Sequence, residues 1–152
     1  MNKKSIIAVV IVGFIAFFMY NALHETTNTE IPNAPDWQTL ETGQKVASES
    51  EKLILVDVYE DGCKYCRAME RETYPDPTVR AVLDAGYVPV KINGNSDEMI
   101  TFNGEAVNSR EWAKEFGVFV YPTTIILDAD GKEIKKKTGY MNVDEFRQFL
   151  YR

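Results

Sequence analysis

The chain has 152 residues, 45% of them hydrophobic and 26% charged, with a formal net charge of −6. That length suits one compact domain with a short appendage, and the acidity excludes a nucleic-acid binder, whose phosphate contacts need patches of Lys and Arg. Two cysteines exclude a disulfide framework and allow a single pair.

Met1-Asn2-Lys3-Lys4 precedes an apolar run over residues 5–20, and no charge follows until Glu25. The run is short for a bilayer span, which needs about 20 residues, but Asn21, Ala22 and Leu23 extend it. Residues 1–23 are therefore expected to form a signal anchor, a single N-terminal transmembrane helix. The alternative is a cleaved signal and secretion. Against it, Tyr20 stands two residues before Ala22, and Phe17, Phe18 and Met19 crowd the region where a cleavage site wants small side chains. Lys3 and Lys4 hold the N-terminus in the cytoplasm. In a bacterium this means one pass through the inner membrane, with the C-terminal domain in the periplasm or at the cell exterior, where disulfide chemistry is at home.

Residues 24–35 are polar, carry Pro32 and Pro35, and show no periodicity, so they are expected to be a linker. From 36 to 152 the pattern is that of a folded domain. Trp37, Leu40 and Val46 suggest a first helix ending near 48–50. Leu53–Tyr59 is a buried strand, and residues 64–73 are expected to form a helix stopped by Tyr74-Pro75-Asp76-Pro77. Asp76 with Pro77 makes an N-cap and first turn for the next helix. A second strand spans 87–92. Residues 93–107 are expected to be irregular, and a loop of that length is commonly functional. Asn108-Ser109-Arg110-Glu111 resembles a capping box opening a helix that Gly117 closes. Strands over 123–127 and 132–138 flank a hairpin turn at Asp128-Ala129-Asp130-Gly131, and the last helix runs over 142–151. Lys135, Lys136 and Lys137 are expected to be a solvated strand end.

Cys63-Lys64-Tyr65-Cys66 lies at the strand-to-helix junction. There the first sulfur meets unpaired N–H groups and the helix dipole, both of which favour a thiolate. Cys63 is the candidate nucleophile and Cys66 the resolving thiol, the minimal apparatus for thiol–disulfide exchange. A static disulfide is the alternative, although so small a loop stabilises a fold little. No metal site is expected, since one CxxC gives two sulfur ligands where a closed zinc site wants about four. Arg67 after Cys66 rules out a haem-attachment CxxCH. No cofactor is expected either, for no Gly-rich phosphate loop is present. Asp57 is polar within an apolar strand. Buried, it would gain proton affinity and could take the Cys66 proton; at a sheet edge it would simply face water. Lys64 beside Cys63 favours the thiolate or serves solubility.

The order β-α-α-β-α-β-β-α, the CxxC after the first strand, Asp57 six residues ahead of it, Tyr121-Pro122-Thr123 and Gly139 together resemble the thioredoxin-fold oxidoreductases. Glu72-Thr73-Tyr74-Pro75-Asp76-Pro77-Thr78-Val79 is similar to the periplasmic thioredoxin-like domain of transmembrane thiol:disulfide interchange reductases. The resemblance implies an α/β thioredoxin fold over 36–152, a central mixed sheet flanked by helices. It also implies that Lys91 pairs with the buried acid as a proton-relay partner, and that Pro122 is cis, although only ~5% of X-Pro bonds are. Tyr121 and Tyr65 would then flank the sulfurs and contact a substrate peptide; otherwise they are ordinary surface aromatics. Gly62 and Lys-Tyr depart from the family's Trp before the first cysteine and its Gly-Pro between the two.

The expected activity is reduction of protein disulfides by a membrane-tethered enzyme supplied by a membrane or periplasmic thiol donor. The alternatives are a disulfide oxidant or isomerase, and a non-catalytic thioredoxin-like binding module.

Overall fold

The computed structural model describes residues 3–24 and 31–151, in two compact units. The first holds helix α1, Lys3–His24, 22 residues long. Ile7 and each large apolar side chain from Val10 to Tyr20 are more than half exposed, and Phe14 and Phe18 meet at 5.4 Å, one turn apart. Among the described residues no helix is long and apolar enough to cross a membrane. Residues 25–30, half of the expected linker, lie outside the described residues. Residues 31–35 belong to the second unit: Pro35 is buried, and Asn33 Nδ2 donates to the Pro75 carbonyl.

The second unit is built on a four-stranded mixed sheet in the order β2-β1-β5-β6. Its elements are α2 (Leu40–Ser50), β1 (Leu53–Tyr59), α3 (Lys64–Ala68) running into a π-helical turn (Met69–Thr73), α4 (Pro77–Gly86), β2 (Tyr87–Asn93), β3 (Met99–Phe102), β4 (Glu105–Asn108), α5 (Ser109–Glu115), β5 (Thr123–Leu127), β6 (Glu133–Thr138) and α6 (Val143–Tyr151). β1 runs parallel to β2 and antiparallel to β5, and β6 returns antiparallel to β5. With helices on both faces, β1 has to be apolar in both directions. Ile54, Val56 and Val58 pack toward Leu40, Ala47 and Trp112, while Leu55 packs toward Met69, Tyr74, Leu83 and Phe146. By the period of two, Asp57 points to the second of these faces.

The expected caps form at Asp76 and Asn108, and Thr39 adds one that was not expected. Thr39 Oγ1 accepts from the Thr42 N–H, Asp76 Oδ1 from Thr78 and Val79, and Asn108 Oδ1 from Arg110 and Glu111. Asn142 and Glu145 close a reciprocal capping box, each accepting the other's N–H.

Two expectations change. The 93–107 stretch is not irregular. It holds the β3–β4 hairpin, turned at Asn103 (φ 52°) and Gly104 (φ 80°), the paired positive φ values of a type I′ turn. Phe102 anchors it edge-on against Trp112 and Phe116. The lysines of β6 are not simply solvated. Lys135 Nζ donates to the carbonyls of Phe149 and Leu150 at the end of α6, and Lys136 Nζ to the Phe116 carbonyl closing α5. Adjacent residues on a strand point to opposite faces, so one edge strand caps a helix on each side of the sheet; Lys137 stays exposed.

Candidate active site

β1 ends at Tyr59 and the chain turns through Glu60, Asp61 and Gly62 into α3. Gly62 sits at φ +79°, a conformation that a side-chain-bearing residue adopts only with strain. The departure from the family's Trp therefore has a backbone reason. Cys63 is the N-cap of α3 and is disulfide-bonded to Cys66, with an S–S distance of 2.10 Å. The Cys66 N–H donates to Cys63 Sγ at 3.0 Å. The two sulfurs differ in access: Cys63 is partly exposed, whereas Cys66 is 2% exposed. An open cleft of about 250 Å3, lined by Tyr59, Glu60, Asp61, Arg67 and Glu70, reaches both cysteines.

Asp57 is 1% exposed, and neither of its oxygens makes a hydrogen bond of normal geometry; the same holds for Tyr74 Oη and Thr124 Oγ1. Thr124 is its register partner on β5. The groups still act on one another. Burial raises the Asp57 pKa to about 6, against the smaller opposing pulls of the Tyr74 hydroxyl and the Lys91 charge. Burial, then the Asp57 carboxylate, pushes the Tyr74 phenol well above its ordinary value.

Lys91 is the register partner of Asp57 on β2, but its ion pair is with Glu70. The pairing inferred from the resemblance is thus corrected: Lys91 reaches Asp57 by charge alone, because Glu70 comes down from the π-helical turn to take the ammonium. The Tyr59 ring lies 4.4 Å from Lys91 Nζ and that of Trp37 5.7 Å. Burial lowers the Lys91 pKa, and Asp57 opposes that shift. Glu70, and not Asp57, lines the cleft at the sulfurs. Sequence reasoning missed it, since nothing local marks one acid among Glu70, Glu72 and their neighbours.

The Tyr121-Pro122 peptide is cis. Val58 pairs with Thr123, so the turn carrying Cys63 and the Tyr121-Pro122 segment leave the sheet at the same end. Tyr121 does not offer its side chain freely to a peptide. Its hydroxyl donates to the Gly94 carbonyl at 2.7 Å and the ring is part-buried. Tyr65 is 60% exposed, its ring 6.4 Å from that of Tyr140, a second surface aromatic the sequence reading did not single out. Lys64 is exposed.

Fold and site together define a thioredoxin-fold thiol–disulfide oxidoreductase. A family model described as a thioredoxin-like domain matches residues 40–152, and the chain belongs to that family. The thiol:disulfide interchange protein DsbD of Photorhabdus laumondii is 28% identical over 118 residues, covering 76% of this chain and 18% of that protein. The chain spans less than a quarter of the length of such relatives. A thioredoxin from Thermus thermophilus superposes with a TM-score of 0.62 at 21% identity, over 78% of this chain and 85% of its own. The oxidised C-terminal domain of Neisseria meningitidis DsbD does so at 0.57 and 21% identity, over 73% and 89%. At that identity the two structures speak for the fold.

Proposed function

We propose that this protein is a membrane-tethered, extracytoplasmic reductant of protein disulfides. The observation that carries the chemistry is the asymmetry of the pair: a reachable Cys63 joined to a buried Cys66, with a buried acid of raised proton affinity, Asp57, on the strand that leads into the Cys63 turn. In the reduced enzyme the Cys63 thiolate attacks a substrate disulfide, forming a mixed disulfide and releasing one substrate thiolate. Cys66 then gives its proton to Asp57 and attacks Cys63 Sγ. The second substrate sulfur leaves as a thiolate, and the Cys63–Cys66 disulfide remains. Two electrons have passed to substrate, and an external thiol donor returns them. Lys91, paired with Glu70 at the cleft, acts on Asp57 through its charge and favours the deprotonated carboxylate. An extended substrate strand pairs with the backbone at Tyr121 and Pro122, flanked by Tyr65, with Lys64 beside the nucleophile.

Electrostatics supports the reducing direction. Glu60 and Asp61 line the cleft against Arg67, while Glu70 there is paired with Lys91. Negative charge disfavours a thiolate, and a destabilised dithiol is the better electron donor. The tether reading rests on the sequence, whose apolar run over 5–20 follows two lysines and meets no charge until Glu25. It divides the chain into an anchor over 1–23 in the inner membrane, a linker that begins at 24, and a domain outside the cytoplasm that takes in residues 31–35 as well as the expected 36–152. The partners are a protein disulfide and a membrane or periplasmic thiol donor.

The test is reduction of insulin by the full chain and by its Cys63→Ser variant, with a redox titration of the pair. Cys63-dependent turnover and a potential near about −270 mV are expected. A potential near about −120 mV would make it an oxidant instead, and equal activity of the two proteins would sink the enzyme reading. Membrane fractionation followed by protease treatment of intact cells checks tether and side together.

A further inference from the structure

Three consecutive residues at the end of β2 hold both walls of the redox site. Asn93 Nδ2 donates to Asp61 Oδ2 at 3.0 Å, and Asn95 Nδ2 to Glu60 Oε2 at 3.3 Å. The two acids lie in the turn that delivers Cys63. Between the asparagines, the Gly94 N–H donates to the Tyr59 carbonyl at 2.8 Å, and the Gly94 carbonyl accepts the Tyr121 hydroxyl at 2.7 Å. Arg110 braces the segment from α5, with Nη2 on the Asn95 carbonyl at 2.9 Å and Nη1 on Asp97. Gly94 is glycine for space and not for backbone freedom. A Cβ there would lie 2.7 Å from Val58 Cγ1 and 2.8 Å from Tyr121 Cε1, so any larger residue has to push β1 and the Tyr121 ring apart.

We infer that Asn93-Gly94-Asn95 is a clamp setting the spacing between the Cys63 turn and the Tyr121-Pro122 segment, with Gly94 its positioning residue. This spacing decides how well a protein disulfide, as against a small one, is presented to Cys63. The inference rests on the oxidoreductase reading proposed above. A protein disulfide has to seat its flanking strand along the Tyr121 backbone and bring its sulfur into line with Cys63 at the same time. A small disulfide has only the second requirement. Misplacement of one wall by a few tenths of an ångström or more therefore falls on the protein substrate first.

The experiment uses the full chain, reduced with dithiothreitol, and compares kcat/KM for insulin with kcat/KM for hydroxyethyl disulfide. In Gly94→Ala the ratio of the two is expected to fall about tenfold. A fall shared equally by both substrates, or no fall, overturns the clamp, because a merely structural defect moves both together. Tyr121→Phe adds no bulk and removes only the bond to Gly94, so it decides the matter if Gly94→Ala does not fold. A ratio lowered about threefold supports the clamp, and an unchanged ratio overturns it. Insulin turnover that survives Cys63→Ser would sink the oxidoreductase reading instead, which keeps the two failures apart.

Discussion

Asp57 and Lys91 stand opposite each other in the parallel register of β1 and β2, yet the ammonium closes on Glu70 and the Asp57 carboxyl has no hydrogen bond of normal geometry. An acid so placed is dear to ionise. The cost is visible in its affinity for a proton, which rises until the group titrates at about 6. A carboxyl titrating near neutral pH is suited to the general-base work proposed for it.

Replacement of Asp57 by Asn should separate its two effects. The folded protein binds this proton more tightly than the unfolded chain, whose value is 3.8. The native state is therefore favoured most below that value and loses the benefit as pH climbs through about 6. The full penalty above the window is about 3 kcal/mol. The oxidised Asp57→Asn chain should accordingly be more stable than the parent at pH 8, by up to that amount, with the gain vanishing toward pH 4. Urea unfolding followed by Trp fluorescence at both pH values measures it. Insulin reduction at neutral pH should drop about a hundredfold, the usual size of a lost general base. Unchanged turnover would remove Asp57 from the proton path.

Lys91→Met withdraws the one charge that pulls the Asp57 pKa down. The Asp57 midpoint should then rise above its present value. The pH profile of insulin kcat/KM reads this directly, since its acidic limb reports the free enzyme's base. A limb that stays put would mean that Glu70 screens Lys91 from Asp57 completely.

Much of this site is written in short stretches of sequence. The CxxC, the polar residue inside an apolar strand, and the Asp76-Pro77 and Asn142–Glu145 caps are local patterns, and local patterns survive folding because the backbone alone enforces them. Asn103-Gly104 was equally local and went unread, although an Asn-Gly pair between short runs is a strong hairpin signal. The choice of Glu70 by Lys91, the turn of Tyr121 toward Gly94, and the reach of Lys135 and Lys136 to helix ends belong to another kind. Each depends on which element lies across from which, and a long side chain can serve several partners. The sequence pattern leaves that choice open.

Those two lysines allow a sharp contrast within one strand. Lys135→Met and Lys136→Met each leave C-terminal helix carbonyls without their donor, and each should cost about 1 kcal/mol in urea unfolding. Lys137→Met, on an exposed side chain, should stay within about 0.5 kcal/mol of the parent. Equal small effects at all three positions would return β6 to a solvated edge.

The access difference between the sulfurs leads to the remaining expectation. Alkylation needs a thiolate and a path for the reagent. Cys63 has the path, at the N-cap of α3 and open to the cleft, while Cys66 at 2% exposure lies behind it. After reduction of the full chain, iodoacetamide at neutral pH should therefore label Cys63 at least about tenfold faster than Cys66. Tryptic mapping over a time course assigns the two rates. Faster labelling of residue 66 would reverse the roles of nucleophile and resolving thiol. Comparable rates would mean that the reduced pair opens well beyond the oxidised arrangement, leaving Cys66 as free as Cys63 to attack a substrate. The order of attack assigned here depends on Cys66 staying closed in until a mixed disulfide on Cys63 brings a sulfur within its reach.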